Sequence, residues 1–190
     1  MDELKRSVDY SRKRLQAIRN CESHISDILW KSTQKIIAAS KRYRGAGRLT
    51  NESALLSYAK NVTADAEESI NSYISAYSKV SCKILGIDNE NIESFLVSDI
   101  YGKTTSERNA VYLGNFAEDI VRMIKAGTLM GYSDQQLLSS IRTGYKDPYH
   151  TSVITKAKRK DINIDVPSYG KGYYKNAYQN IVRNASQVIA

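Results

Sequence analysis

Residues 101–144 read YGKTTSERNAVYLGNFAEDIVRMIKAGTLMGYSDQQLLSSIRTG and contain two helix start signals separated by a glycine-containing turn. At the first start, Thr104 stands three residues before Glu107. This is the spacing of a capping box, in which each side chain bonds the other residue's backbone amide. At the second start, Ser133 stands three residues before Gln136 and repeats the arrangement. The stretch therefore predicts two consecutive helices.

Apolar residues follow the first start signal at intervals of three and four, as on one face of a helix. They are Ala110, Leu113, Ala117, Ile120, Val121 and Ile124. Gly127 or Gly131 is expected to end this helix, because glycine adopts the left-handed conformation of a helix C-terminus without strain. We expect residues 101–144 to connect the N-terminal part of the chain to its C-terminal part.

Residues 3–43 carry a heptad pattern sustained for about five repeats, which predicts one long helix. The seam consists of Leu4, Val8, Ser11, Leu15, Ile18, Glu22, Ile25, Leu29, Ser32, Ile36 and Ala39. A second helix, capped by Thr50 or Asn51, is predicted to run to Gly86. Two long helices joined by a short glycine loop favour an antiparallel hairpin.

The remaining sequence predicts a short helix at about 90–100 and a final helix over 173–189. Residues 160–172, KDINIDVPSYGKG, break the helical pattern and predict an extended arm. The fold class expected is all-α: an elongated antiparallel hairpin in 1–88, followed by a smaller helical domain in 89–190 that includes this irregular segment.

The formal net charge of +8 is unevenly distributed along the chain. Residues 1–48 have a net charge of +7, residues 49–120 of −6 and residues 121–190 of +7. Such a pattern suits either a protein whose acidic middle segment packs against its two basic end segments, or one that presents two basic surfaces to a polyanion. Adjacent carboxylates such as Glu118 and Asp119 point about 100° apart on a helix and are expected on solvated faces.

No window contains the roughly 18–20 apolar residues needed to cross a bilayer, and the N-terminal residues MDELKRS lack the apolar core of a signal peptide. We therefore expect no membrane association and synthesis in the cytoplasm. Cys21 and Cys82 are too few and too far apart for a disulfide framework or a metal site, and they are expected to be free thiols.

The sequence contains none of the motifs GxSxG, GxxxxGK[ST], GxGxxG or HExxH, so we expect no enzymatic activity, no cofactor and no metal. His24 and His150 are expected to be structural or surface residues, since neither has a metal ligand at suitable spacing. An alternative is a nuclease or transferase that uses His150 with Tyr149, Lys156 and Arg159.

Two basic clusters with interleaved tyrosines, and a pair of lysines after them, are candidates for phosphate contact with DNA. The residues are Lys41, Arg42, Arg44 and Arg48; Lys156, Lys158, Arg159 and Lys160; and Lys171 and Lys175. An ordinary solubilising surface would have the same composition. The glycines in residues 44–48 suit a turn between helices better than a phosphate-binding nest.

The pattern YGKTTSER, an amphipathic helix, and then IKAGTLMGYSDQQLLSSIR resembles the head-morphogenesis or minor head protein family of tailed phages, exemplified by the Mu F-like proteins. The positions that match are Gly102, Lys103, Thr104, Glu107, Arg108, Gly127, Gly131, Tyr132, Ser133, Leu137 and Ile141. The terminal segment YYKNAYQNIVRNASQVIA is similar to the family's next helix and keeps Arg183. Asn184 and Ala185 stand where the family has a threonine and an acid.

The resemblance implies a structural component of the virion at the head or head–tail junction. Such a protein would act in head assembly or in DNA packaging or ejection through contacts with portal, capsid or neck proteins, and could also touch packaged DNA. A helical nucleic-acid-binding module outside the phage head is the alternative. The seam in residues 3–43 also suits a homo-oligomer.

Overall fold

The structure is a computed structural model that describes residues 2–86, 97, 102–146, 151–164 and 177–190. Its α-helices are α1 (Asp2–Ser40), α2 (Glu52–Ala64), α3 (Glu67–Leu85), α4 (Thr105–Leu129), α5 (Asp134–Lys146), α6 (Val153–Lys158) and α7 (Ala177–Ile189). A 3-10 turn (Lys41–Tyr43) and two strands, β1 (Arg44–Gly45) and β2 (Arg48–Leu49), connect α1 to α2. The predicted all-α fold is confirmed.

Helix α4 begins at the predicted capping box. The Thr104 amide donates to Glu107 Oε2 over 2.7 Å, and the Glu107 amide donates to Thr104 Oγ1 over 3.2 Å. The helix ends in a left-handed glycine, Gly131, with φ of 75°. There the amides of Tyr132 and Gly131 donate to the carbonyls of Gly127 and Thr128, at 2.8 and 3.0 Å. Gly131 therefore terminates α4.

Gly127 has a different role, which is to let α5 pack closely against α4. A Cβ atom at this position would lie 2.3 Å from Leu137 Cδ2, well inside the contact distance of two carbon atoms. Leu137 is completely buried. The contact sets how near the second predicted helix can come to the first.

The predicted long N-terminal helix is present as α1, but the rest of the protein packs against only part of it. Along the seam, Ile25, Leu29 and Ile36 are fully buried. In contrast, Leu4, Val8 and Leu15 are 72%, 61% and 54% exposed. Over residues 4–16 only Tyr10 and Arg14 are even partly buried. The first part of α1 thus projects from the core.

The second predicted helix is divided in two, which corrects the expectation of one helix up to Gly86. The break lies at residues 65–66, between α2 and α3. The buried Thr63 hydroxyl bonds the Lys60 carbonyl over 3.1 Å, a side-chain bond of the kind that bends helices. As a result α2 packs mainly on α4, whereas α3 packs along α1. His24 of α1 stacks on Tyr73 of α3 with ring centroids 4.5 Å apart.

The connection after α1 is a β-hairpin rather than the simple turn between helices that was expected. Arg44 pairs with Leu49 and Gly45 with Arg48, so the loop consists of Ala46 and Gly47. Both loop residues have positive φ, 49° and 73°. This is the requirement of a type I′ turn, in which glycine is favoured and alanine is strained.

Helices α5 and α7 complete the core. The Arg142 guanidinium of α5 lies 5.3 Å from the centre of the Trp30 ring of α1. Tyr145 of α5 stacks on Tyr178 of α7, with ring centroids 4.3 Å apart. The Tyr178 hydroxyl lies 3.1 Å from the Ser26 hydroxyl of α1. Aromatic contacts therefore link α1, α5 and α7.

One cluster of buried residues combines helices from both expected domains. It includes Ile25 of α1, Ile70 of α3, Phe116 of α4, Leu137 of α5 and Ile181 of α7. In the described residues the core therefore has no break that corresponds to the expected boundary between 1–88 and 89–190.

A smaller cluster of Ala126, Val153, Ala157 and Ile164 places α6 on the end of α4. Ile164 belongs to the predicted arm 160–172 and is buried; residues of that arm from 165 onward, and the predicted short helix at 90–100 apart from Val97, lie outside the described residues.

Replacing Gly127 by alanine is expected to lower the free energy of unfolding by about 1–3 kcal/mol, because the new methyl group would overlap Leu137. Gly114→Ala is the matched control, since a Cβ atom there meets nothing within 4 Å. That control should raise stability by about 0.5–1 kcal/mol through the higher helix propensity of alanine. Urea unfolding measures both, and equal effects of the two substitutions would contradict the close α4–α5 contact.

Candidate functional site

Arg108 connects the two segments in which the sequence resemblance lies, residues 101–142 and the terminal helix, by a hydrogen bond to Asn184. Its guanidinium donates to the Lys103 carbonyl over 2.7 Å and to Thr105 Oγ1 over 3.1 Å. It also donates through Nε to Asn184 Oδ1 on α7, over 3.1 Å. Gly102, which precedes this group, has φ of 77° and so uses the freedom of glycine. In this structure Arg108 orders the start of α4 and holds α7.

Asn184 belongs to a chain of hydrogen-bonded amides that crosses three helices. Its Nδ2 donates to Asn109 Oδ1 over 2.7 Å, and Asn109 Nδ2 donates to Asn71 Oδ1 over 2.6 Å. Asn71 donates to Ser106 Oγ over 3.1 Å, and Ser106 donates to Glu67 over 2.9 Å. Asn109 is completely buried. The chain therefore satisfies polar groups inside the core and connects α3, α4 and α7.

The amide chain was not predicted from the sequence. The available signal was Asn109, which lies four residues before Leu113 on the apolar face of α4. A polar residue at such a position needs an internal partner, but the sequence does not show which helix supplies it. The exposed end of the chain opens into a shallow groove of about 760 Å³ lined by Glu67, Glu68, Asn71 and Ser106, among others.

Asp119 was expected on a solvated face, and this prediction is wrong. The residue is only 9% exposed, and its carboxylate accepts a hydrogen bond from the Ala177 amide at the start of α7, over 3.1 Å. A carboxylate at a helix N-terminus also interacts favourably with the helix dipole. The Arg122 guanidinium lies 3.6 Å from the other carboxylate oxygen. Asp119 is therefore a cap that α4 supplies to α7.

The second predicted start signal is confirmed at α5. The Ser133 amide donates to Gln136 Oε1 over 2.9 Å, and the Gln136 amide donates to Ser133 Oγ over 3.3 Å. The carboxylate of the next residue, Asp134, forms ion pairs with two residues of the first basic cluster, Lys41 over 3.2 Å and Arg44 over 2.7 Å. The Arg44 side chain is only 15% exposed. Its guanidinium is thus used within the chain, while Arg42 and Arg48 are exposed.

The second basic cluster reaches the same helix start through Lys156. Lys156 lines a shallow groove of about 700 Å³ together with Tyr132, Ser133 and Gln136. Lys158, Arg159 and Lys160 follow and are exposed. Within the described residues none of these three forms an ion pair. We refer to Lys41, Arg42, Arg48, Lys156, Lys158, Arg159 and Lys160 as the basic surface.

Other predicted site residues divide into two groups. Lys171, Lys175, His150 and Tyr149 lie outside the described residues. Arg183 is described and lies exposed on α7.

The surroundings of Cys21, Cys82 and His24 are those of residues that contribute to packing. Cys21 is completely buried, and burial, together with the nearby Glu22 carboxylate, raises the pKa of its thiol to about 12. Cys82 is partly buried, and both thiols are free. His24 stacks on Tyr73, as described above. In the described ranges no group of three or more His, Cys, Asp or Glu side chains is arranged to hold a metal ion.

No helix in the part of the chain that the structure describes is long and apolar enough to cross a membrane. Comparison with protein-family models, curated proteins and solved structures gave no match to this chain.

Asn109→Ala should lower the free energy of unfolding by about 1–3 kcal/mol, because it leaves the buried amide of Asn184 without its partner. Asn61→Ala, at an exposed position of α2, is the control and should change stability little. Chemical denaturation of the two variants tests this. If both variants unfold at the wild-type midpoint, the amide chain contributes nothing to the packing of α7.

The capping box makes stability depend on pH. Hydrogen bonds from the Thr104 amide, and secondly from its side chain, lower the pKa of Glu107 below its ordinary value of 4.5. The unfolded chain therefore binds the proton more readily. The stabilisation is complete above pH 4.5 and is lost as the pH falls through the lowered value.

Glu107→Gln should reduce this loss, because glutamine keeps the bond to the Thr104 amide without titrating, as Gln136 does at α5. Thermal unfolding from pH 6 to pH 3 measures the difference. Identical pH profiles for the variant and the wild type would contradict the conclusion that Glu107 makes stability depend on pH.

Proposed function

We propose that this chain is a structural component of a tailed-phage head or head–tail junction, where it contacts portal, capsid or neck proteins. The resemblance at residues 101–142 and in the terminal helix supports the proposal. The residues that carry it serve the fold: Thr104 and Ser133 cap helices, Gly131 ends α4, Gly127 lets α5 pack against α4, and Arg108 holds α7. Residues with such roles suit a protein that works by shape.

The observation that carries the proposal is the uncovered start of α1. Residues 4–16 span about 20 Å of helix, at about 1.5 Å per residue. Their apolar residues Leu4, Val8 and Leu15 are each more than half exposed. Large apolar side chains grouped on one exposed face are typical of a surface that binds another macromolecule. This part of α1 is therefore suited to contact with a neighbouring virion protein.

Contact with packaged DNA is a second part of the proposal, and the basic surface supports it. Two clusters that are more than 100 residues apart in the sequence both reach the first turn of α5. Lysine and arginine side chains placed in this way neutralise phosphates without reading bases. The same observation favours the alternative of a nucleic-acid-binding module outside the phage head.

The virion assignment is tested with particles and proheads purified from cells that carry the gene. We expect mass spectrometry to find the chain in one or both at a constant copy number relative to the portal. Its absence from both would refute the virion assignment. If the chain nevertheless bound DNA, the nucleic-acid-binding alternative would take its place.

DNA contact is tested by a salt titration of binding to duplex DNA. Replacing Lys158 and Arg159 together by glutamate should weaken binding and make the negative slope of log affinity against log salt shallower by about 1–2. Lys31→Glu, at an exposed position of α1, is the control and should leave the slope unchanged. Binding with an equal slope in all three proteins would exclude the basic surface as the contact.

A further inference from the structure

The exposed apolar residues of α1 form a stripe, which we define as Leu4, Val8, Ser11 and Leu15. The intervals are four, three and four residues, so the stripe continues the heptad seam that is buried further along the helix. A strict heptad stripe is narrow and fits a second helix packed alongside it.

The stripe is continuous with a surface that α7 already covers. Ser186 of α7 donates to Glu22 of α1 over 2.5 Å. Leu15 and Val8 lie seven and fourteen residues before Glu22, which places them on the same side of α1 with a drift of about 20° per heptad. A helix that followed the direction of α7 along α1 would therefore cover the stripe.

Basic residues border the stripe. Lys5, Arg12 and Arg19 recur at intervals of seven and are all exposed. The acidic residue of this segment, Asp9, lies away from the stripe, where it pairs with Lys13 at 2.7 Å. A partner helix that packs on the stripe would meet positive charge along its edge, so its own flanking positions should be acidic.

A second copy of the chain fits this surface poorly. In a parallel pair of α1 helices Arg14 would lie opposite the Arg19 of the other copy, and in an antiparallel pair the row of Lys5, Arg12 and Arg19 would face the same row of the other copy. Like charges at these positions are unfavourable. A membrane surface also fits poorly, because helices that lie in a bilayer interface present a wide apolar face with Trp or Phe. The stripe contains neither residue.

We infer that the stripe on the first part of α1 is a docking site for an acidic amphipathic helix of another protein. The helix would pack its apolar residues on Leu4, Val8 and Leu15, and its carboxylates would pair with Lys5, Arg12 and Arg19. This inference rests on the proposed role in protein contacts and specifies the chemistry of the partner.

The experiment uses the full chain and two synthetic peptides of about three heptads. Both peptides carry valine and leucine at the seam positions; one has glutamate at the flanking positions and the other has lysine. We expect the acidic peptide to bind in a calorimetric titration and the basic peptide not to bind. Val8→Ser and Leu15→Ser together should weaken binding at least about tenfold, because each side chain would otherwise be buried.

Val111→Ser is the matched control, since Val111 is also exposed, at 43%, but lies on α4. It should leave the affinity for the acidic peptide unchanged. All variants should keep the helical circular dichroism of the wild type. Arg12→Glu together with Arg19→Glu should reverse the preference between the two peptides.

The inference is overturned if neither peptide binds, or if both bind equally. It is also overturned if light scattering shows an oligomer that Leu15→Ser converts to a monomer, because the occupant would then be a second copy. The inference is also overturned if the acidic peptide does not bind and Val8 and Leu15 are instead needed for binding to another ligand. That ligand would be vesicles of phosphatidylcholine and phosphatidylserine, or duplex DNA.

The outcome separates this inference from the virion assignment. If the acidic peptide binds but the chain is absent from particles and proheads, the docking site stands and the virion assignment fails. If no peptide binds and the Leu15→Ser chain enters particles as the wild type does, the docking site fails and the virion assignment stands.

Discussion

The burial of α4 places polar side chains where water cannot reach them, and their hydrogen bonds decide which helices can lie beside it. An unpaired buried polar group costs about 1–3 kcal/mol. Asn109 near the start of α4 bonds Asn184 near the end of α7, and Asp119 further along bonds the first amide of α7. Because the pairs run in opposite directions along the two helices, they set α7 antiparallel to α4 and fix its register.

The helix α1 shows that a regular pattern in the sequence does not determine what is buried. Its seam is similar from Leu4 to Ile36, yet Leu4 is mostly exposed and Ile36 is not. The difference arises because α3 and α7 cover only the later part of α1, with α7 reaching it at Glu22 and Ser26. Burial of a seam residue depends on the partner helix, and the uncovered residues are those from which a docking surface is proposed.

Features that depend on neighbouring residues could be predicted from the sequence: both capping boxes, the end of α4 in a glycine turn, and the length of α1. Features that depend on contacts across the chain could not. The amide chain, the cap from Asp119 and the pairing of Arg44 with Asp134 each include a bond between residues 38 or more positions apart in the sequence. The Ala46–Gly47 turn was missed for a local reason, since alanine is uncommon where φ is positive. The basic clusters were predicted, but not that both reach the start of one helix.

Because α1 is long, the charges near its two ends interact only weakly with each other. From Arg12 to Ser40, beside the basic surface, the helix rises about 40 Å at about 1.5 Å per residue. At physiological ionic strength charges are screened over about 8 Å. Neutralising one end therefore leaves the potential at the other end almost unchanged. The two charged ligands proposed for these surfaces would therefore each bind with its own salt dependence, at a separation set by the length of α1.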